Sequence, residues 1–151
     1  MYSLIELLAT TPLFRNLNQN EVGLFASVCT EHTLATNAVL FDQGDPGGEL
    51  YLVLEGKLEA HKPFIGKVNT FAPGDYLGEF SLLDGAPRSA SVIAAERSRV
   101  ASLSQSDFNT ICNQRSDIGY RVMQNMALEL VVRVKEHEER LMDMLLRGRR
   151  L

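Results

Sequence analysis

The sequence predicts a mainly β fold with flanking helices, in the α+β class, and three observations lead to this prediction. Between Thr33 and Leu103, short apolar runs are bounded by glycine-containing turns, as in a sandwich, a jelly roll or a small barrel. On both sides of this region, apolar residues recur at spacings of three and four, which is typical of helices. The chain has 151 residues, so a single domain, 1–151, accounts for all of it.

Two short helices are predicted before the β region. The first covers residues 3–9 and ends before Pro12, because the residue preceding a proline avoids the helical conformation. The second begins after Asn18, which can form a capping box with Glu21. Its apolar face consists of Val22, Leu24, Phe25 and Val28.

The β core is predicted from about residue 33 to residue 103. Its strand-like runs are 38–41, 50–54, 67–71, 89–94 and 100–103. Gly-Asp and Gly-Gly pairs and single glycines separate these runs, and such residues favour turns because glycine tolerates positive φ.

Helical spacing returns after Leu103. Ser104 or Ser106 can cap a helix whose apolar residues are Phe108, Ile111 and Cys112. A long C-terminal helix is predicted over about 116–147, because this stretch has no proline and only one internal glycine. Its apolar residues form one stripe: Met123, Met126, Leu130, Val134, Leu141, Met144 and Leu145.

Composition excludes several classes of function. The formal net charge of -4 argues against a general nucleic-acid-binding surface, which would be basic. No apolar run reaches the length of a membrane span, and the first residues lack the basic start of a secretion signal. Cys29 and Cys112 fit buried free thiols in a reducing compartment. These features together predict a cytoplasmic protein without a membrane span.

The stretch GEFSLLDGAPRSAS, residues 78–91, combines both signs of charge with small residues and turns. Gly78 allows close backbone approach to a ligand, and Glu79 to Leu83 can form one helical turn with free N–H groups at its start. Arg88 then offers a planar fork of donors that suits a phosphate, and Ser89 adds a hydroxyl. Glu79 would repel a phosphate but can accept a hydrogen bond from a neighbouring hydroxyl. An anion beside a hydroxyl suggests a phosphorylated sugar.

This stretch resembles the phosphate-binding cassette of cyclic nucleotide-binding domains, which occur in catabolite-activator-type regulators, cyclic-nucleotide-dependent kinases and gated channels. VLFDQGDPGGELYLVLEG, residues 39–56, is similar to an early strand–turn–strand signature of this family, and FAPGDYLGE leads into the cassette. The three motifs occur in the family's order and spacing. The resemblance covers nearly the whole chain and implies a jelly-roll β barrel of short antiparallel strands.

The resemblance also implies roles for individual residues. Glu79 matches the residue that binds the ribose 2′-hydroxyl, and Arg88 matches the one that pairs with the cyclic phosphate. The surrounding positions of the cassette are Gly78, Phe80, Ser81, Ser89 and Ala90. The implied ligand is a cyclic mononucleotide, cAMP in preference to cGMP, and no other cofactor is implied. Arg133 and Val134 of the long helix fall near the purine, where the arginine either contacts the base or points to solvent.

The family uses its long helix as a lid and as a dimer seam. Leu130, Val134, His137, Leu141 and Met144 have the 4-3-4-3 spacing of a coiled coil, which predicts a parallel homodimer. Regulators of this type usually carry a helix-turn-helix after the long helix. The sequence stops at Leu151, so no DNA-binding domain is expected in this chain.

An enzyme is not expected. The three histidines, His32, His61 and His137, are widely separated and lack metal-ligand spacing, so no metal site is predicted. Glu79 is the only acid that can be assigned to a pocket, and no catalytic triad has local support. Two alternatives remain: a ligand-free dimerisation scaffold with a degenerate cassette, and a binder of a cyclic dinucleotide.

Overall fold

The computed structural model describes residues 2–148 and confirms the mainly β architecture with flanking helices. The helices are α1 (Leu4–Leu8), α2 (Gln19–Ala26), α3 (Glu79–Asp84), α4 (Gln105–Gln114) and α5 (Ser116–Gly148), with a 3-10 turn at Pro12–Phe14. The strands are β1 (Thr30–Leu34), β2 (Val39–Phe41), β3 (Glu49–Glu55), β4 (Leu58–Lys62), β5 (Gly66–Phe71), β6 (Tyr76–Leu77), β7 (Ser91–Ala94) and β8 (Ser98–Ser104).

The strands form two antiparallel four-stranded sheets that make the jelly roll. The first has the order β1-β8-β3-β6 and the second the order β2-β7-β4-β5. Most sheet neighbours are distant in sequence, as in β3 beside β8 and β2 beside β7. Contacts of Arg88 with Phe41, Tyr51 and Glu49 bring the end of β2, the start of β3 and the segment before β7 close to one another.

β3 is buried on both faces, and its alternating side chains serve two cores. Leu50, Leu52 and Leu54 contribute to a cluster formed with the helices. Tyr51 and Val53 contribute to a second cluster that also contains residues of β4, β7 and β8. Because successive strand residues point to opposite faces, one central strand can join the helical layer to the space between the sheets.

Several element boundaries differ from the sequence prediction. The β core begins at Thr30 rather than at residue 33, because β1 is a mostly exposed polar strand held by pairing with β8. The run 89–94 is a strand only from Ser91. β4 and the two-residue β6 were not predicted, and Leu24 is 38 % exposed rather than part of a buried face.

The predicted caps agree with the structure. Asn18 and Glu21 form the capping box of α2, and Ser104, rather than Ser106, caps α4 through the N–H of Asp107 at 3.1 Å. Cys29 and Cys112 are free and half-buried. Cys29 lies between α2 and β1 rather than within a helix, and burial raises the pKa of its thiol to about 11.

The two halves of α5 have different surroundings. Ile118, Val122 and Met126 in the first half are buried in the helical cluster. Asn125 donates from Nδ2 to the carbonyl oxygens of Leu13 and Arg15 at 3.0 and 2.8 Å, which attaches this half to the N-terminal segment. Beyond Met126, most large apolar side chains of α5 are exposed. Within residues 2–148, no helix combines the length and hydropathy of a membrane span.

Candidate functional site

The segment 78–91 forms a short helix and a tight return loop. Gly78 caps α3 with φ +90°, and Gly85 ends it with φ +68°, so the predicted helical turn is confirmed. The pair Leu82 and Leu83 predicts two apolar contacts that hold α3 to the core; Leu82 is buried and makes this contact, whereas Leu83 is 42 % exposed. The Ser81 hydroxyl donates to the carbonyl oxygen of Ala86 at 2.8 Å and closes the loop.

Arg88 lies at the end of this loop, and its backbone fixes its position. Its N–H donates to the carbonyl oxygen of Asp45, and its own carbonyl accepts from the N–H of Gly44, both at 2.9 Å. The Arg88 side chain is only 6 % exposed. Two glycine-containing loops that are far apart in sequence therefore meet at this arginine.

Aromatic rings and one carbonyl hold the guanidinium of Arg88. The guanidinium carbon lies 4.3 Å from the ring centre of Phe41 and 5.5 Å from that of Tyr51. Nη2 donates to the carbonyl oxygen of Glu49 at 3.0 Å. These contacts orient the side chain, and cation–π contacts leave its positive charge in place.

Two donors of Arg88 remain unused. Within residues 2–148, Nε and Nη1 are buried and have no hydrogen-bond partner, and no carboxylate lies within salt-bridge distance of this side chain. A buried charge without a counter-ion is costly in free energy. The arrangement therefore suits an anion that enters beside Arg88 and supplies the missing negative charge.

Gly78 makes room for Arg88. A Cβ on this glycine would lie 2.7 Å from Nη1 of Arg88 and 2.7 Å from the carbonyl oxygen of Glu49. The sequence predicts that a ligand approaches the backbone beside Gly78. In the structure the closest neighbours are protein atoms, so this glycine is needed for the position of the arginine.

Glu79 forms an ion pair with Arg133 of α5, through Oε1 and Nη1, rather than with Arg88. Glu79 is 4 % exposed. Burial acts to lower the pKa of Arg133, but Glu79, with smaller contributions from Tyr76 and Glu129, outweighs burial, and the net pKa is raised. Burial also raises the pKa of nearby Tyr76 to about 12, with a further contribution from Glu79. Of the two predicted orientations of Arg133, the solvent-directed one is wrong, because the side chain turns towards the cassette.

A cavity of about 390 Å³ collects the predicted cassette residues and Arg133, but Val134, also expected near the purine, is 56% exposed and does not line it. It is lined by Gly78, Glu79, Phe80, Ser81, Arg88, Ser89, Ala90 and Arg133, together with residues of β2, β4, β5 and β7. Phe80 and Ser89 are exposed at the cavity, whereas Ser81 and Ala90 are buried. The volume lies within the usual range for small-molecule sites.

Comparison with known proteins assigns the chain to a family. The family model described as cyclic nucleotide-binding domain matches residues 31–115, which is more than half of the chain. The chain belongs to the cyclic nucleotide-binding domain family. The matched region includes Glu79 and Arg88 but ends before Arg133.

Two relatives of this cyclic nucleotide-binding domain have cAMP in their names. It is 33% identical over 130 residues to the cyclic AMP receptor protein of Thermus thermophilus, with 83% of this chain and 58% of that protein covered. It is 32% identical over 112 residues to a cAMP-dependent protein kinase regulatory subunit of Aspergillus niger, with 74% of this chain and 27% of that protein covered. The chain thus spans from about a quarter to over half the length of these relatives.

A solved structure supports the same fold assignment. The Thermus thermophilus catabolite activator protein matches with a TM-score of 0.78 and 32% sequence identity. The match covers 89% of this chain and 63% of that chain. The likeness therefore extends beyond residues 31–115 into the flanking helices.

Sequence reasoning missed several residues at the site of this cyclic nucleotide-binding domain. Phe41 and Tyr51 were noted only as parts of a motif, and the carbonyl of Glu49 carries no residue-type signal. Tyr51 also donates from its hydroxyl to the carboxylate of Glu49 at 2.7 Å. Burial is the larger cause that raises the pKa of Tyr51 to about 12, and this hydrogen bond is the second. The sequence signal for Phe41 and Tyr51 was the nearby Gly44 and Gly48, because glycines mark loops that can approach the cassette.

Two of the three predicted non-ligand histidines, His32 and His61, contact a neighbouring side chain. His61 contacts Glu59 at 3.2 Å, and His32 contacts the hydroxyl of Ser102 at 2.9 Å. In the described part of the chain, no three histidine, cysteine, aspartate or glutamate side chains are grouped to hold a metal ion.

Proposed function

We propose that this domain is a cytoplasmic sensor that binds a cyclic mononucleotide, cAMP in preference to cGMP. The observation that carries the proposal is Arg88, a buried arginine with two unused donors and no carboxylate partner among the described residues. A cyclic phosphate would supply the missing negative charge through charge-assisted hydrogen bonds. The preference for cAMP follows relatives whose names include that nucleotide.

Glu79 would receive the ribose. Its ion pair with Arg133 uses Oε1, so Oε2 can accept a hydrogen bond from the 2′-hydroxyl. Gly78 makes no side-chain hydrogen bond to the start of α3, so the first N–H groups of this helix can donate to a ligand oxygen. The remaining predicted contacts, Phe80, Ser81, Ser89 and Ala90, are assigned to the same ligand as lining residues.

The purine would lie between β5 and α5. Asn69 and Phe71 of β5 and Arg133 of α5 line this side of the cavity. Because Arg133 also holds Glu79, a nucleotide at Glu79 would change the environment of α5. We assign the output of the sensor to this helix, and we assign no chemical reaction to the domain.

Titration calorimetry with cAMP, cGMP and a cyclic dinucleotide tests the proposal. We expect binding of the mononucleotides, and we expect Arg88→Ala to weaken it by about 100-fold or more. Truncating one partner of a buried charged contact typically costs ~2–5 kcal/mol, and each ~1.4 kcal/mol is tenfold in affinity. Arg97→Ala, an exposed arginine in the turn between β7 and β8, is the matched control and should bind normally.

A thermal shift separates the sensor from the scaffold alternative. A ligand that binds only the native state must raise its melting temperature. An unchanged melting temperature in saturating cAMP and cGMP would favour the ligand-free scaffold. A shift with the dinucleotide alone would reassign the cavity to that class of ligand.

A further inference from the structure

The hairpin between β4 and β5 ends in an apolar tip that extends into solvent. Its turn contains Phe64, whose side chain is fully exposed, and Ile65, which is 70% exposed. Phe64 also adopts φ +66°, a left-handed conformation that costs a bulky residue free energy. Among residues 2–148, neither side chain lines the cavity beside Arg88, so the nucleotide site does not account for them.

The charge of the hairpin differs from that of the rest of the molecule. The hairpin, residues 58–71, contains Lys62, Lys67 and one acidic residue, Glu59, whose carboxylate contacts His61. The whole chain has a net charge of -4 and the hairpin contributes +1, so the remainder carries -5. The two lysines flank the apolar tip, one at the end of β4 and the other near the start of β5.

We propose that the β4–β5 tip is a docking site for an anionic membrane surface. Phe64 and Ile65 would enter the boundary between headgroups and acyl chains, and Lys62 and Lys67 would contact lipid phosphates. The exposed tip has an aromatic and a branched aliphatic side chain between two lysines. This arrangement matches a surface on which anionic headgroups cover apolar acyl chains. The acidic remainder of the molecule would face away from it.

Binding through one tip is weak and reversible. Two apolar side chains and two lysines give an affinity of the order of that from a single acyl chain, which alone anchors a protein only marginally. The hairpin would therefore act as a supplementary contact that concentrates the sensor near a membrane. It would not act as a permanent anchor.

Co-sedimentation of the full chain with vesicles tests the proposal. We expect binding to phosphatidylcholine vesicles that contain about one-third phosphatidylserine, loss of that binding in high salt, and little binding to phosphatidylcholine alone. The double variant Phe64→Ser/Ile65→Ser should reduce binding at least tenfold. Lys62→Gln and Lys67→Gln should each reduce it about fivefold.

Matched controls are available at other exposed positions. Tyr2→Ser removes an aromatic side chain that is 72% exposed, and Lys57→Gln removes a cation before β4, at the opposite end of that strand. Both should bind vesicles like the original chain. Because Phe64 and Ile65 are exposed, their variants should keep the original melting temperature, which separates loss of docking from loss of folding.

Tryptophan fluorescence gives a second readout, because the sequence contains no tryptophan. Phe64→Trp should shift its emission to the blue on anionic vesicles and be quenched by brominated acyl chains, whereas Tyr2→Trp should do neither. Absence of both sedimentation and spectral shift would overturn the proposal. A tip that instead contacts a protein partner, with no response to vesicles, would overturn it as well.

Discussion

Arg88 and Glu79 are both buried beside the cavity, but the protein compensates their charges differently. Glu79 has a full counter-ion in Arg133, whereas Arg88 has only aromatic rings and the carbonyl of Glu49. A carboxylate beside Arg88 would neutralise it and compete with an incoming phosphate. The contacts of Arg88 therefore fix its geometry and preserve its attraction for an anion.

The first prediction at the residue scale concerns Gly78. Gly78→Ala should lower the free energy of unfolding by ~1–3 kcal/mol and weaken cAMP binding, because the new Cβ collides with Arg88 and the carbonyl of Glu49. Urea denaturation and calorimetry measure the two effects. Gly44→Ala is the matched control, since Gly44 has φ +89° and a new Cβ there would meet no atom within 4 Å. Gly44→Ala should lose stability but retain most of its affinity for cAMP. An equal loss of cAMP affinity in the two variants would contradict this role of Gly78.

The residue types of the site could be predicted from sequence, but their partners could not. Glu79 and Arg88 lie nine positions apart in one motif, so the sequence places them at one loop. The contacts of Arg88 with Glu49 and of Glu79 with Arg133 span 39 and 54 positions. Such contacts depend on sheet order and helix direction, and a motif does not encode either.

At the scale of elements, strong local signals were sufficient and weak ones were not. The caps at Asn18 and Ser104 and the long helix α5 follow from side-chain chemistry and apolar spacing. β1 and β6 lack such signals, because β1 is polar and exposed and β6 has only two residues. Pairing with β8 and β3 holds them, so their existence depends on the sheet rather than on their own sequence.

The element-scale prediction concerns the distal half of α5. If the helix acts as a lid, as in the family, ligand would reduce hydrogen exchange over about 117–145. The proximal half is already fixed by buried side chains and by Asn125, so we expect the reduction only in residues 127–148. Arg133→Ala should increase hydrogen exchange in this distal segment and leave residues 116–126 unchanged. Cyclic nucleotide should lower hydrogen exchange of residues 127–148 in the original chain, and the decrease should be smaller in Arg133→Ala. The expected coupling free energy between the nucleotide site and the helix is ~1–3 kcal/mol.

Arg140→Ala is the control for this experiment. Arg140 is an exposed arginine on the same distal segment, and its replacement should leave exchange and its response to ligand unchanged. If Arg133→Ala leaves distal exchange unaltered, the ion pair with Glu79 does not hold the helix. The signal would then leave the domain by another route.

At the scale of the whole molecule, the apolar surface is concentrated on the distal helix. Val134, Leu141 and Met144 of the predicted seam are 56, 57 and 69 % exposed. The domain's own β core therefore does not cover them. Exposed apolar stripes of this length mark surfaces for association, and the 4-3 spacing favours a second parallel helix.

We therefore predict a parallel homodimer formed through α5. Sedimentation equilibrium should give a mass of twice 16.8 kDa at micromolar concentration. Val134→Glu/Leu141→Glu should raise the dissociation constant at least 100-fold, because each seam would bury unpaired carboxylates. Leu128→Glu/Val131→Glu places the same charge on two exposed apolar residues outside the seam and should leave the dimer intact. A monomeric mass for the original chain would contradict the prediction. Equal dissociation in both variants would show that the helices associate through a different face.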